Sequence, residues 1–429
     1  MRRESLDIAP PANTFLPPLA AAEGWDGRKP RTTVIGRQSA SPARGSKTRT
    51  RNVCFVTGTR AEFGLMKRTL DAIASHRKLD LQLVATGMHL DPAHGEGVRS
   101  LEHDGWRVDR TIPWPASSGR DRTTTARNTG HAIAHLADTF ADLQSDIVLI
   151  VGDRVEAFAA ASAAHLCGVA VAHVHGGDRA AGQVDDSLRH AITKLAHLHF
   201  PATKQSASRI KKLGEDPSRI HLVGSPGIDG IVADASSSND VRAHVGELTP
   251  RKFALLVLHP ADADDALEER RARMVLKAAL SIGYERVVII YPNNDPGSAG
   301  ILRVWDAVSD PRVIAKRDVP RPIFLGLIRD AAVLLGNSSS GIIEAASFGT
   351  PVVDIGPRQQ GRERGRNVSN VPYKPASLRR ELLRLWNAGK PKRFAAANMY
   401  GGQGTGRRIA QVLATTPLND RLLRKLISY

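Results

Sequence analysis

Two cysteines in 429 residues exclude a disulfide framework, which needs several pairs to stand in for a core. Cys54 lies inside the apolar run "NVCFV" and Cys167 just before Gly168, so both read as reduced thiols in a cytoplasmic protein. No apolar run approaches the ~18 residues that cross a bilayer, so no membrane partner is expected. The N-terminus carries Arg2 and Arg3 but no apolar core ahead of a cleavage site, so no secretion signal is read. Aromatic residues make up only 5% and do not interleave with basic helical stretches such as "ASLRRELLRLW". That argues against a single-strand nucleic-acid binder in spite of a net charge of +17. Part of the excess is local: residues 1–51 hold ten basic and four acidic residues.

Hydrophobic residues at 41% and this length suffice for two or three domains with real cores. Residues 1–50 are rich in Pro, Ser, Arg and Gly without periodicity and read as a disordered basic extension. From Asn52 onward, short apolar runs alternate with amphipathic stretches. "VCFVTG", "LQLVATG", "DIVLIVGD", "VAVAHVHGG" and "IHLVGS" are apolar on both faces, as buried parallel strands are. The pattern restarts with "FALLVLHP", "RVVIIYPNND", "AAVLLGNSSS" and "PVVDIGPR". It predicts an α/β chain of two doubly wound domains, with a hinge at residues 224–230. The divisions are 51–225, 226–395, and a C-terminal helical segment, 396–429, packing back towards the first domain.

Nearly every run ends in glycine or polar chemistry: "GTRAE", "GDRVE", "HGGD", "HP", "GNSSS", "GPRQ". Ligands of open α/β sheets bind beyond the carboxyl ends of the strands, where loops and helix N-termini converge. Two such edges face to face make a cleft suited to an anionic, sugar-bearing ligand. In "GNSSSGIIE" the serines read either as a phosphate-binding loop or as a plain helix cap, with Glu344 an ordinary acid of the following turn. His173 and His175 fall on one face at a strand's period of two, but no third ligand accompanies them, and no metal is expected.

"VTGTRAEFG" from Val56, "GDR" from Gly152, "HVHGGD" from His173, "DDSLRHAITKLAHLHF" from Asp185, "LHP" from Leu258, "GNSSSGIIE" from Gly336 and "GPRQQGRERGRNV" from Gly356 resemble, in matching order, the UDP-N-acetylglucosamine 2-epimerase family. The likeness runs from about residue 52 to 415 and is closest to the hydrolysing branch that feeds sialic-acid-type synthesis. It implies a GT-B fold of two Rossmann-like domains, a UDP-sugar substrate, no cofactor, and a homodimer or homotetramer. It also implies elimination of UDP to a glycal-like intermediate, followed by water addition with inversion at C-2.

Residue by residue, the resemblance places Asp153 as the catalytic aspartate and Asp185 as an acid of proton transfer, with Arg189 one turn on. His175 stands where some relatives carry glutamate. Asp178 departs from the usual "GGE", its carboxylate reaching about 1.5 Å less far. His259 matches the family's essential histidine. Ser338, Ser339 and Glu344 fall on the nucleotide. Arg60 supplies charge to the diphosphate, with Glu62, Arg358 and Arg362 on the substrate side. Three other readings stay open: the same chemistry on GDP-N-acetylglucosamine or a UDP-diacetamido-trideoxyhexose, a GT-B glycosyltransferase, and a basic nucleic-acid-binding protein.

Overall fold

Val53 to Thr57 are buried because the strand they form, β1 (Arg51–Thr57), lies at the centre of a sheet covered on both faces. The computed structural model describes residues 50–90, 97–114, 122–179, 184–292, 297–317 and 319–428, without the side chains of Ala61, Arg122, Val184 and Asp185. The first sheet adds β2 (Leu79–Ala85), β3 (Arg110–Thr111), β4 (Ile147–Val151), β5 (Ala170–Val174) and β6 (Leu198–Phe200). Its order is β3-β2-β1-β4-β5-β6, with every pairing parallel. The second sheet holds β7 (Phe253–Val257), β8 (Arg286–Ile290), β9 (Val313–Lys316), β10 (Val333–Gly336), β11 (Val352–Ile355) and β12 (Val368–Val371). Its order, β12-β11-β10-β7-β8-β9, is the same winding repeated, again all parallel.

This is the doubly wound α/β architecture expected, but one strand moves. "IHLVGS" pairs only through the single bridge His199↔Ile220, and the sixth strand is Leu198–Phe200. The reason is geometric. Gly224, at φ +88°, turns the chain out of the sheet, and Ser225 N–H donates to Tyr400 O at 2.7 Å, where a second segment crosses.

Each sheet buries apolar side chains on both faces, giving four clusters in all. One of those beside β1 includes Ile409, Ala410 and Leu413 of the helix Thr405–Thr415, which lies after the second sheet in the sequence. Among the described residues no helix is long and apolar enough to cross a membrane. Cys54 is buried, which pushes its thiol up to about 12, and Cys167 is exposed; both are free.

In each sheet the winding reverses between two central strands, β1 and β4 in the first and β7 and β10 in the second. Loops on either side of such a reversal diverge and leave a crevice at the strands' carboxyl ends. Arg60, Asp153, His259 and Ser338 follow these four strands within a few residues.

Candidate active site

After β1 the chain enters the helix Arg60–Ala74 through a capping box: Glu62 N–H donates to Thr59 Oγ1 at 3.2 Å. In return the Glu62 carboxylate accepts from Gly58 N–H at 2.8 Å and Thr59 N–H at 3.1 Å. Glu62, expected on the substrate, is thus engaged in shaping its own loop. Arg60 stands exposed at the head of this helix, where its charge adds to the burial that holds His89 below its ordinary value.

Burial, then the neighbouring Glu156, pushes the Glu62 carboxyl up to about 7, against the pull of Arg154 and the two N–H groups. Between its ordinary 4.5 and 7 the folded chain therefore holds a proton that the unfolded chain has released. Stability should fall as pH rises through that window, by on the order of 3 kcal/mol in all. Chemical denaturation of Glu62→Gln across the same range should show that slope lost.

β4 is followed by Gly152, whose φ of +80° turns the chain into the loop that carries Asp153. The Asp153 carboxylate accepts from Arg189 Nη2, on the helix Val184–Leu195. Arg189 is buried, and its Nε and Nη1 have no protein partner. Burial first, and the positive charge of Arg362 second, bring its guanidinium down to about 10. Its buried N–H groups and the nearby second guanidinium make this an anion-seeking corner.

His173 braces the pair from below. Its Nε2 lies 2.8 Å from Gly152 O and its Nδ1 3.3 Å from Thr193 Oγ1, while Thr193 donates to Arg189 O at 3.0 Å. Burial brings this imidazole down to about 3, so it sits neutral between the two loops. His175 turns elsewhere, because its φ of +63° lifts it off the strand's alternation. The two histidines therefore do not converge on a common point, and among the described residues no group of three or more His, Cys, Asp or Glu could hold a metal.

His175 Nδ1 lies 2.8 Å from Asp178 Oδ2, and Nε2 lies 3.0 Å from Ser225 Oγ. Ser206 Oγ donates to the other Asp178 oxygen at 2.7 Å. Burial alone would raise the Asp178 carboxyl, but His175, Ser206 and Arg362 outweigh it and hold it below its ordinary value. The ionised carboxylate only accepts, so His175 Nδ1 carries the proton and Nε2 faces the Ser225 hydroxyl. The shorter acid is thus paired inside the first half. Gly177, at φ +72°, makes the turn feasible: a Cβ there would meet Ser206 O at 2.3 Å. Asp185 lies outside the residues whose side chains are described.

In the second half, the backbone of His259 follows β7 and is gripped by Asn337. His259 N–H donates to Asn337 Oδ1 and Asn337 Nδ2 donates to His259 O, both at 2.8 Å. Asn337 O accepts from Gln359 Nε2 at 2.9 Å and from Arg358 Nη1 at 3.2 Å. One buried asparagine therefore joins three loops of the site. The sequence gives a faint signal for it, an amide between a glycine and serines at the end of a buried strand.

Ser338 caps the helix Ser339–Ile343, its Oγ accepting from Ser340 N–H at 3.3 Å, and Ser339 heads that helix. The helix lasts only five residues before a 3-10 turn, Ala345–Phe348. Glu344, at their junction, is 8% exposed. Its Oε1 accepts from Arg321 Nη1 at 2.8 Å, while Oε2 is buried without a protein partner.

The two halves meet over these groups. Gly361, Arg362 and Glu363 line one small pocket with Asp178, Arg179 and Ser206. The Glu363 carboxylate accepts from Thr203 Oγ1, and Tyr400 OH donates to Glu363 O at 3.0 Å. The structure thus brings Asp153, Asp178, Arg189 and Arg362 into one neighbourhood, and Asn337 ties together the loops of His259, Ser338 and Arg358, while Glu344 is held by Arg321.

Residues 71–414 match the UDP-N-acetylglucosamine 2-epimerase family. A UDP-N,N'-diacetylbacillosamine 2-epimerase (hydrolyzing) of Legionella pneumophila is 36% identical over 88% of this chain and 100% of its own length. A UDP-N-acetylglucosamine 2-epimerase of Neisseria meningitidis serogroup B is 32% identical over 83% of this chain and 92% of its own. The fold matches a crystal structure of UDP-GlcNAc 2-epimerase from Neisseria meningitidis bound to UDP-GlcNAc, with a TM-score of 0.72, 18% identity, and coverage of 84% of this chain and 99% of that one. Its two parallel sheets are those of a GT-B-like α/β fold, and the chain belongs to the UDP-N-acetylglucosamine 2-epimerase family.

Proposed function

We propose that this chain is a hydrolysing 2-epimerase of a UDP-linked 2-acetamido sugar, releasing UDP and the free 2-epimer. The observation that carries the reading is Asp153 bound to the buried, otherwise unpartnered guanidinium of Arg189 at one switch point, within the field of the positive charge of Arg362 from the other half. The chemistry needs a carboxylate beside C-2 and positive charge beside the departing diphosphate.

In the proposed reaction Asp153 or Asp185 takes the C-2 proton. The electron pair of that C–H bond forms the C-1=C-2 double bond, and the C-1–O bond breaks with its electrons going to UDP. Arg189, Arg362, Arg60 and Arg358 meet the charge that develops on the diphosphate. Water then adds at C-1, and C-2 regains a proton on the opposite face. With His175 and Asp178 bonded to each other, their part is to hold the loop "HVHGGD" in place rather than to touch C-2. His259 would serve the leaving group from the facing edge.

UDP-N-acetylglucosamine, giving N-acetylmannosamine for sialic-acid-type synthesis, is one substrate of this class. A second reading, UDP-N,N'-diacetylbacillosamine, is favoured by the higher identity to the Legionella protein over its whole length. Both share C-2 and the diphosphate and differ at C-4 and C-6.

The test supplies each nucleotide sugar in deuterated water and analyses the products. Free sugar with deuterium at C-2, inverted configuration there and one equivalent of UDP is expected. The substrate with the higher kcat/KM identifies the sugar. Unlabelled, uninverted sugar would refute epimerisation and favour a simple hydrolase or a transferase.

A further inference from the structure

Glu344 is a buried carboxylate with its two oxygens in different states. Oε1 accepts from Arg321 Nη1 at 2.8 Å, and Oε2 has no donor from the protein. A buried acceptor without a donor costs about 1–3 kcal/mol, more when it is charged, and a ligand hydroxyl placed there recovers that cost. The same guanidinium is fixed at its other end: Arg321 Nη2 donates to Gly227 O at 2.8 Å. Gly227 belongs to the short turn Pro226–Ile228, which packs on the helix Arg60–Ala74 of the first half; a Cβ at Gly227 would lie 3.3 Å from Leu65.

Arg321 is therefore held between the carboxylate and the segment that joins the two halves. Such a guanidinium cannot swing to a passing phosphate without giving up two hydrogen bonds. Its work is on Glu344: it engages Oε1 and leaves the buried Oε2 as the one carboxylate oxygen without a donor from the protein. The arrangement suits a ligand carrying hydroxyl donors.

We propose that Arg321 is a specificity-determining positioning residue: by holding Glu344 it makes the site prefer a ribonucleotide over its 2'-deoxy counterpart. The inference rests on the proposed function together with the resemblance that puts Glu344 on the nucleotide, here taken as its ribose.

The experiment measures the affinities of UDP and 2'-deoxyuridine diphosphate by calorimetry for the wild-type chain, Glu344→Ala, Arg321→Ala and Arg321→Lys. Folding is checked by circular dichroism. The wild type should prefer UDP by about tenfold, the worth of one charge-assisted hydrogen bond. Arg321→Ala should bind UDP about tenfold more weakly and the deoxynucleotide within about twofold of wild type, so that the preference disappears. Arg321→Lys should restore part of it, since an ammonium supplies charge but not the two-ended fork. Turnover at saturating substrate should stay near wild type in Arg321→Ala.

Equal losses for both nucleotides, or an unchanged preference, in Arg321→Ala would overturn the role given to Arg321. If Glu344→Ala also keeps the preference, or the wild type shows none, the ribose reading of Glu344 falls as well. A preference lost in Glu344→Ala and kept in Arg321→Ala overturns the Arg321 inference alone.

Discussion

Asp153→Asn is expected to lower turnover by about 10²-fold or more while UDP still binds, since a general base contributes on that scale and the nucleotide side is untouched. The amide keeps the shape of the side chain and still accepts from Arg189, but it cannot take a proton from C-2. It also removes the negative charge that faces a buried guanidinium already brought down to about 10 by burial and by Arg362. Breaking a buried pair costs about 3–5 kcal/mol when one charge is left alone, so part of the activity loss could arise from unfolding. Two measurements separate the causes: UDP affinity by calorimetry reports the folded fraction, and deuterium exchange at C-2 reports the proton transfer alone. Folded protein that binds UDP but no longer exchanges C-2 fits the assigned base. Folded protein that still exchanges at the wild-type rate would move the base elsewhere, and Asp185→Asn made in parallel would show whether it is there.

The strands nearest the sheet centres were legible because both faces of each are buried, which forces a near-continuous apolar run. β4, all five residues buried, is the clearest case. Two of the edge strands, β3 and β9, were not legible. Arg110–Thr111 is two exposed residues, and Val313–Lys316 is only partly buried, so neither carries the apolar signal. "IHLVGS" carried the signal without the pairing, because Gly224 and the crossing at Tyr400 take the chain away from the sheet.

The site divides in the same way. Asp153, His259 and Ser338 follow central strands, so the strand ends point to their loops, while the role expected of each came from the family resemblance. Arg321 and Asn337 were missed because their meaning lies in partners far along the chain: 94 residues separate Arg321 from Gly227, and 78 separate Asn337 from His259. His175 was expected among the catalytic groups, but a positive φ, which no strand period reveals, turns it towards Asp178 and Ser225. Asp178 shows the reverse: its one-methylene departure was visible in sequence, but the pairing that absorbs it required Ser206, on the helix Lys204–Lys212.

Asn337→Leu should be the most damaging single change on the nucleotide side. Leucine is close in shape, yet it leaves His259 N–H and C=O without the two 2.8 Å bonds that hold them. Each backbone group so orphaned costs up to about 1–3 kcal/mol, so a loss of up to about 6 kcal/mol is expected, concentrated in the second half. The functional loss should be larger than that of Ser338→Ala, because the displaced loop carries His259 and disturbs Arg358 and Gln359, which share the Asn337 carbonyl. Asn337→Asp gives the sharper test. Its oxygen still accepts from His259 N–H, but an ionised carboxylate has no hydrogen to donate to His259 O, and it brings a charge into a fully buried position. Protonation of the introduced carboxyl supplies the missing donor and removes the charge. Stability and UDP affinity of Asn337→Asp should therefore recover towards wild type as pH falls, whereas Asn337→Leu should show no such recovery. If denaturation and calorimetry show both variants responding alike to pH, the two-bond grip on His259 is not what Asn337 supplies.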